Sequence, residues 1–326
     1  MTWRGSAAVR FALAAAPFLG AAAILAALFW RIPPERVAAA LAEADLSRFF
    51  AALIPVSLLY VVLDTGLMTA VLRWFHPPGL RFAEALAVRA VDYLVTLWNG
   101  RASQAAMVGT LGRRLGAAAP GSGYWECAGT ILFLDLCQRG HLLVWAALGA
   151  MALGERSPGQ IPAALGIGVA ASVLFIAFLR GRLRAAGLGP PRWRLLKTFR
   201  SAAPRHYLLV LAWKAPLIAA AALGHSLAVD AFGIEIGPLD LLATLPIIFL
   251  AGALPIAVAR VGTAQAAWVY FHAADAAASP GGEAGLLAYS LAAHLTFLLA
   301  NAILAAPFLP SAWRMIIQGG GGRRFG

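Results

Sequence analysis

The chain has 326 residues, of which 61% are hydrophobic and only 12% charged, with a mean hydropathy of +0.78 and a formal net charge of +12. A soluble domain carries about 25% charged residues, so the composition excludes a water-soluble globular enzyme and points to a polytopic membrane protein. The positive balance is not read as nucleic-acid affinity, because arginine and lysine concentrate in loops on the cytoplasmic side of a membrane protein.

The first apolar stretch, 11–30, follows Arg4 and Arg10 as a signal peptide would, but it runs too long and ends in "LFWRIPPER" rather than a small-residue cleavage site. It is expected to remain as a first span. Segments 49–72, 127–150, 160–180, 206–228 and 285–309 are likewise apolar over about 20 residues, enough to cross a hydrocarbon core of about 30 Å as helix. Between the second and the third of these spans lies 84–98, which reaches roughly 22 Å as helix and is too short to cross. Asn99 and Gly100 then form a turn signal, and a second short arm follows over 102–112.

Charge placement fixes the orientation. Segment 180–205 carries eight basic residues and no acidic one, so it is expected inside, as are the N-terminus with Arg4 and Arg10 and the C-terminus with Arg314, Arg323 and Arg324. Segment 229–240 has three acids, Asp230, Glu235 and Asp240, and no base, and is expected outside. Arg73, Arg81, Arg113 and Arg114 must then all lie inside. Residues 82–115 therefore enter and leave from one face, as a re-entrant hairpin with its tip at Asn99 and Gly100. Segment 239–278, interrupted by Pro246, Pro255 and "RVGT", starts and ends outside, either as a second re-entrant hairpin with its tip near Pro255 and Gly262 or as two full spans with Arg260 as a cytoplasmic anchor between them.

The two hairpins share a phrase: "RASQAAMV" at 101–108 and "GTAQAAWV" at 262–269 place Gln104 and Gln265 161 residues apart. Interrupted helices at corresponding positions of two halves are the signature of an inverted-topology repeat. The expected fold is an all-α, polytopic helical bundle of two inverted halves, 1–156 and 157–312, whose hairpins meet near the midplane, followed by a Gly/Arg tail at 313–326. Small side chains let hairpin arms pack closely, and Gln104, Thr263 and Gln265 are expected to shape the tips.

Ionisable groups inside apolar spans are functional candidates because they are expensive there. Asp135 and Arg139 are i, i+4 neighbours in "WECAGTILFLDLCQRGHLLVW", and Arg89 and Asp92 are i, i+3 neighbours on the first hairpin arm. Each pair has a structural reading as a helix lock. In the functional reading, Arg89, Arg101, Arg139 and Arg260 attract a lipid phosphate, onto whose oxygens a guanidinium forks. Asp64, Lys214, His272 and His294 read as separate polar groups. Cys127 and Cys137 read as packing residues, since their spacing in one helix permits neither a disulfide nor a metal site. No phosphate-binding loop, zinc-protease or nucleophile-elbow motif is present, so neither catalysis nor a cofactor is expected.

The second hairpin, "LPIIFLAGALPIAVARVGTAQAAWVYFHAA", with the following "LLAYSLAAHLTFLLANAILAAPF", resembles the C-terminal part of the lysylphosphatidylglycerol synthase transmembrane region family, also described as a flippase-like domain. "NGRASQAAMVGTLGRRLG" sits where that family has a Pro-Gly-Arg-x-Gly-Glu-like turn; here Asn99 replaces the proline, and Ser103 with Gln104 stands where Gly-Glu is expected. The resemblance implies a bacterial inner-membrane protein linked to lipid translocation, as a membrane domain without the soluble synthase domain. The expected partner is a membrane lipid, of phospholipid or polyprenyl-phosphate type, with anionic headgroups also drawn to 180–205. The alternatives are an ion-coupled solute carrier with Asp64, Asp92 or Asp135 as proton site, and a subunit presenting lipid to a membrane enzyme.

Overall fold

The computed structural model describes residues 7–96, 100–118, 123–153, 160–181, 193–253 and 262–311, with side chains from residue 19 onward except at 100–102, 116–118 and 160. Among the described residues every regular element is a helix. In chain order they are α1 (Ala7–Arg31), α2 (Pro34–Glu43), α3 (Leu46–Phe75), α4 (Phe82–Thr96), α5 (Gly100–Ala118), α6 (Tyr124–Leu153), α7 (Gln160–Leu179), α8 (Lys197–Ser201), α9 (Pro204–Asp230), α10 (Pro238–Gly252), α11 (Thr263–Ala277) and α12 (Gly282–Ala305).

Among the described residues five stretches are long and apolar enough to cross a membrane: Leu46–Phe75, Tyr124–Leu153, Ile161–Leu179, Pro204–Asp230 and Gly282–Ser311. Each contains or closely matches a span expected from the sequence, and α1 covers the first apolar stretch with 25 residues. The sequence did not announce α2. Its signals are local: Pro34 at the first helical position, where a missing N–H does no harm, and Glu35 in the first turn, where a carboxylate suits the helix dipole.

The short segments pack in pairs. Glu84, in the first turn of α4, pairs with Arg114 near the end of α5, and Arg89 Nη1 lies 3.9 Å from Met107 Sδ. These contacts make the arms antiparallel and bring their outer ends to one end of the pair. Helices α10 and α11 pack on each other, Thr244 Oγ1 lying 2.9 Å from His272 Nε2. The order long, short, short, long thus occurs twice, as α3–α6 and as α9–α12.

Two compact units emerge. One comprises Ile54–Ala221 and Phe297–Gly326. Its core gathers Met68, Val71 and Leu72 of α3, Leu111 and Leu115 of α5, and Phe133 of α6. Cys127 and Cys137 are free, buried thiols in that core. Gly129 of α6 has no room for a Cβ, which would strike the Leu195 carbonyl, so the 3₁₀ turn Arg194–Leu196 rests directly on α6. Helix α7 packs on α6 at Gly168, where an added Cβ would sit 3.2 Å from Leu143, yet none of its apolar 18-residue window is buried.

The other unit comprises Met1–Leu53 and Ala222–Thr296. Its centre is aromatic: Phe49, Phe232, Trp268 and His225 all meet the ring of the fully buried Tyr289. Beside it, Ile32 just past α1, Val269 of α11 and Leu287 of α12 form a cluster against which Leu28 and Phe29 of α1 pack.

Candidate functional site

Asp64 lies in α3, among residues that leave it 4% exposed, and Lys214 of α9 is 2% exposed. Their register is set one residue earlier, where Trp213 Nε1 donates to the Leu63 carbonyl at 2.9 Å, and Gly66 leaves room for the Trp213 ring. Lys214 Nζ then donates to Asp64 Oδ1 at 2.7 Å. The second carboxylate oxygen accepts from Arg89 Nη2 of α4 at 2.9 Å and, at 3.4 Å, from the Tyr93 hydroxyl. Arg89 Nη1 also reaches Asp92 Oδ2 at 3.1 Å. Lys214 Nζ stands 5.6 Å from the centre of the Tyr60 ring, which is held by the Phe297 ring at 4.9 Å.

Two cations and two carboxylates therefore neutralise one another inside an apolar bundle. Removing one partner of such a buried set leaves an uncompensated charge and costs about 3–5 kcal/mol, whereas apolar residues in place of the whole set are often no less stable. Stability alone does not account for retaining it. Nor is the polar environment saturated. Arg89 Nε and Thr65 Oγ1 are buried without a hydrogen-bond partner.

The cluster has a counterpart at the outer end of the first hairpin. Arg73, Arg81, Glu84 and Arg114 line a pocket with Pro78, Gly79 and Leu80. Three guanidinium groups surround one carboxylate, so this pocket carries a positive excess. Burial pushes the Glu84 carboxyl upward, but the hydrogen bonds from Arg114 and from the Arg81 N–H outweigh it and hold the group below the usual carboxylate range. From Glu84 to Arg89 is five residues along α4, about 7.5 Å of helix rise.

The chain is a polytopic, all-helical membrane protein. Its long apolar helices carry that conclusion, and the charge cluster buried within them is of the kind found in transport proteins. No protein-family model, no curated protein and no solved structure matches the chain.

The residues singled out from sequence fall in different places. Arg89 joins the cluster. Asp135 and Arg139 form their ion pair on α6, Arg139 Nε to Asp135 Oδ2 at 2.9 Å, with the Arg139 side chain 49% exposed. Gln104 is exposed on α5, and Gly100 is the first residue of that helix. Asn99, Pro255 and Arg260, and the side chain of Arg101, lie outside the described residues.

At the start of α11, Gln265 Oε1 accepts from the Gly262 N–H at 2.6 Å, closing the helix terminus, while Thr263 Oγ1 and Gln265 Nε2 are buried without a partner. Gly262 has φ +96°, and an added Cβ would lie 3.3 Å from the Ala21 carbonyl of α1. The two glutamines thus differ: one is a buried cap, the other a surface residue.

The reading of Asp64 and Lys214 as separate polar groups is corrected: they are each other's partners. Tyr60, Tyr93 and His141 were not singled out at all. The available signal was the sign of the charges, since two apolar spans carrying one buried acid and one buried base satisfy both by facing each other.

Proposed function

We propose that this protein binds an amphipathic, phosphate-bearing lipid and moves it across the bacterial cytoplasmic membrane without ATP hydrolysis. The observation that carries the reading is the buried Arg89–Asp64–Lys214 cluster. It sets two fixed cations inside an apolar bundle, one of which, Arg89, stands on a helix whose outer turn borders a basic pocket. Guanidinium and ammonium groups are the residues that recognise phosphate. A headgroup taken up at Arg73, Arg81 and Arg114 would be passed along α4 to Arg89 while its chains stay among the apolar helices.

The wider reading is a re-entrant inverted repeat. Helix α4 is too short to cross, and an odd number of crossings separates the pair α4–α5 from the pair α10–α11 along the chain, so the two pairs would enter from opposite faces. The arginine-rich 180–205 supports N- and C-termini in the cytoplasm. The lipid as cargo is the expectation raised by the short motifs that resemble the lysylphosphatidylglycerol synthase transmembrane region, a family whose model does not match the chain. In this reading the chain has no catalytic role.

The test is flipping of a fluorescent phosphatidylglycerol in proteoliposomes, read by quenching of the outer leaflet. Arg89→Gln should abolish flipping. The pair Asp135→Asn with Arg139→Gln should retain it if that pair is only a helix lock. Unchanged flipping in Arg89→Gln refutes the site.

A further inference from the structure

The cluster is neutral as it stands, and that constrains any anion that enters it. Asp64 Oδ1 is taken by Lys214 and Oδ2 by Arg89, so an incoming phosphate oxygen must replace Asp64 on at least one of these cations. The displaced carboxylate would then face only Tyr93 and Tyr60 among its polar neighbours, with Asp92 on the far side of Arg89 and His141 on the α6 side near Lys214. A buried carboxylate stripped of its cations takes up a proton rather than remain charged.

We infer that binding of a phosphate-diester anion at Arg89 and Lys214 is linked to the uptake of one proton by Asp64. The step balances. The Asp64 ion pairs break, the diester oxygens accept from the freed guanidinium and ammonium groups, and a proton from solvent bonds to a carboxylate oxygen of Asp64. One negative and one positive charge enter together and the cluster stays neutral. Release reverses both. The inference rests on the lipid-binding reading and deepens it, because cargo and proton then move as a pair and a pH gradient becomes a usable energy source.

The experiment is calorimetric titration of the full-length protein in neutral-lipid nanodiscs, in buffers of different ionisation enthalpy, between pH 5.5 and 7.5. The probes are dihexanoyl phosphatidylglycerol and, as a chain-free diester, dimethyl phosphate. Each keeps its single negative charge over this range, so any proton taken up belongs to the protein. The expected result is close to one proton per anion at pH 7.5 and affinity rising up to about tenfold per pH unit lowered. Asp64→Asn should bind at pH 7.5 without proton uptake and lose the pH slope. Asp64→Asn with Lys214→Met, which leaves the neutral Arg89–Asp92 pair, should take up no proton even if the single variant does not fold.

Anion binding by the wild type without proton uptake, or persistent uptake in the double variant, overturns the linkage and leaves the lipid reading standing. Absence of binding by either probe overturns both. Equal binding of dimethyl phosphate and the lipid, each with one proton, upholds the linkage and replaces the lipid by a free phosphodiester.

Discussion

Breaking the Asp64–Lys214 pair from each side should give unequal losses of stability. In Lys214→Met, Asp64 keeps Arg89 at 2.9 Å and the Tyr93 hydroxyl, so the carboxylate remains paired. In Asp64→Asn, Arg89 falls back on Asp92 at 3.1 Å, but Lys214 is left facing the Tyr60 ring at 5.6 Å with no carboxylate. A buried ammonium without an anion belongs near the low end of the range for a broken buried pair, about 3 kcal/mol, and the better-compensated Lys214→Met about 2 kcal/mol. The double variant removes one charge of each sign and keeps the Arg89–Asp92 pair, so it should cost no more than about 2 kcal/mol. That gives a coupling of about 3 kcal/mol, at the upper end of what contacting residues show. Equilibrium unfolding in mixed micelles with increasing SDS, followed by tryptophan fluorescence, measures all three. If the double variant loses the sum of the single losses, the two charges are energetically independent and the cluster as described is wrong.

Gly262→Ala should lower stability by about 2–3 kcal/mol in the same assay, because φ +96° is strained for any L side chain and the methyl presses on the Ala21 carbonyl. Gly140→Ala, where an added Cβ meets nothing within 4 Å, should be neutral or slightly stabilising. With Cys127→Ala and Cys137→Ala as background, Arg113→Cys, Leu195→Cys and Gly320→Cys should each react with an impermeant maleimide only from the cytoplasmic side. Labelling of the residue at 113 from the periplasm would mean that 82–115 crosses the membrane.

Most of the helical architecture could be read from the sequence, because a bilayer-length apolar run is a local property. The short arms were legible for a related reason: 84–98 is too short to cross, and the structure finds α4 and α5 as separate helices lying antiparallel. The site was legible only in part. Arg89 and Asp92 sit three residues apart and advertise their pairing, whereas Asp64 and Lys214 are 150 residues apart and meet only through the packing of α3 on α9. The repeated Gln-Ala-Ala phrase overstated its own meaning. Gln265 follows a glycine with positive φ and turns back to cap it, while Gln104 stands further inside its helix, where the backbone donors are already used. Identical side chains at corresponding positions do different work when the helix starts at a different residue.

Helix α7 imposes little on its own sequence. Its apolar window buries no residue, and its described close approach is Gly168 against Leu143 of α6. Selection there can distinguish apolar from charged but hardly one apolar residue from another, so Val, Leu, Ile and Phe should interchange freely along residues 161–177, whereas Leu179 is buried in the core with Phe178 packed against it and should not. In a saturation mutagenesis map this helix would stand out as a band tolerant of shape and intolerant of charge. The turn of α3 around Asp64 would show the opposite, with aspartate favoured over every residue of similar size.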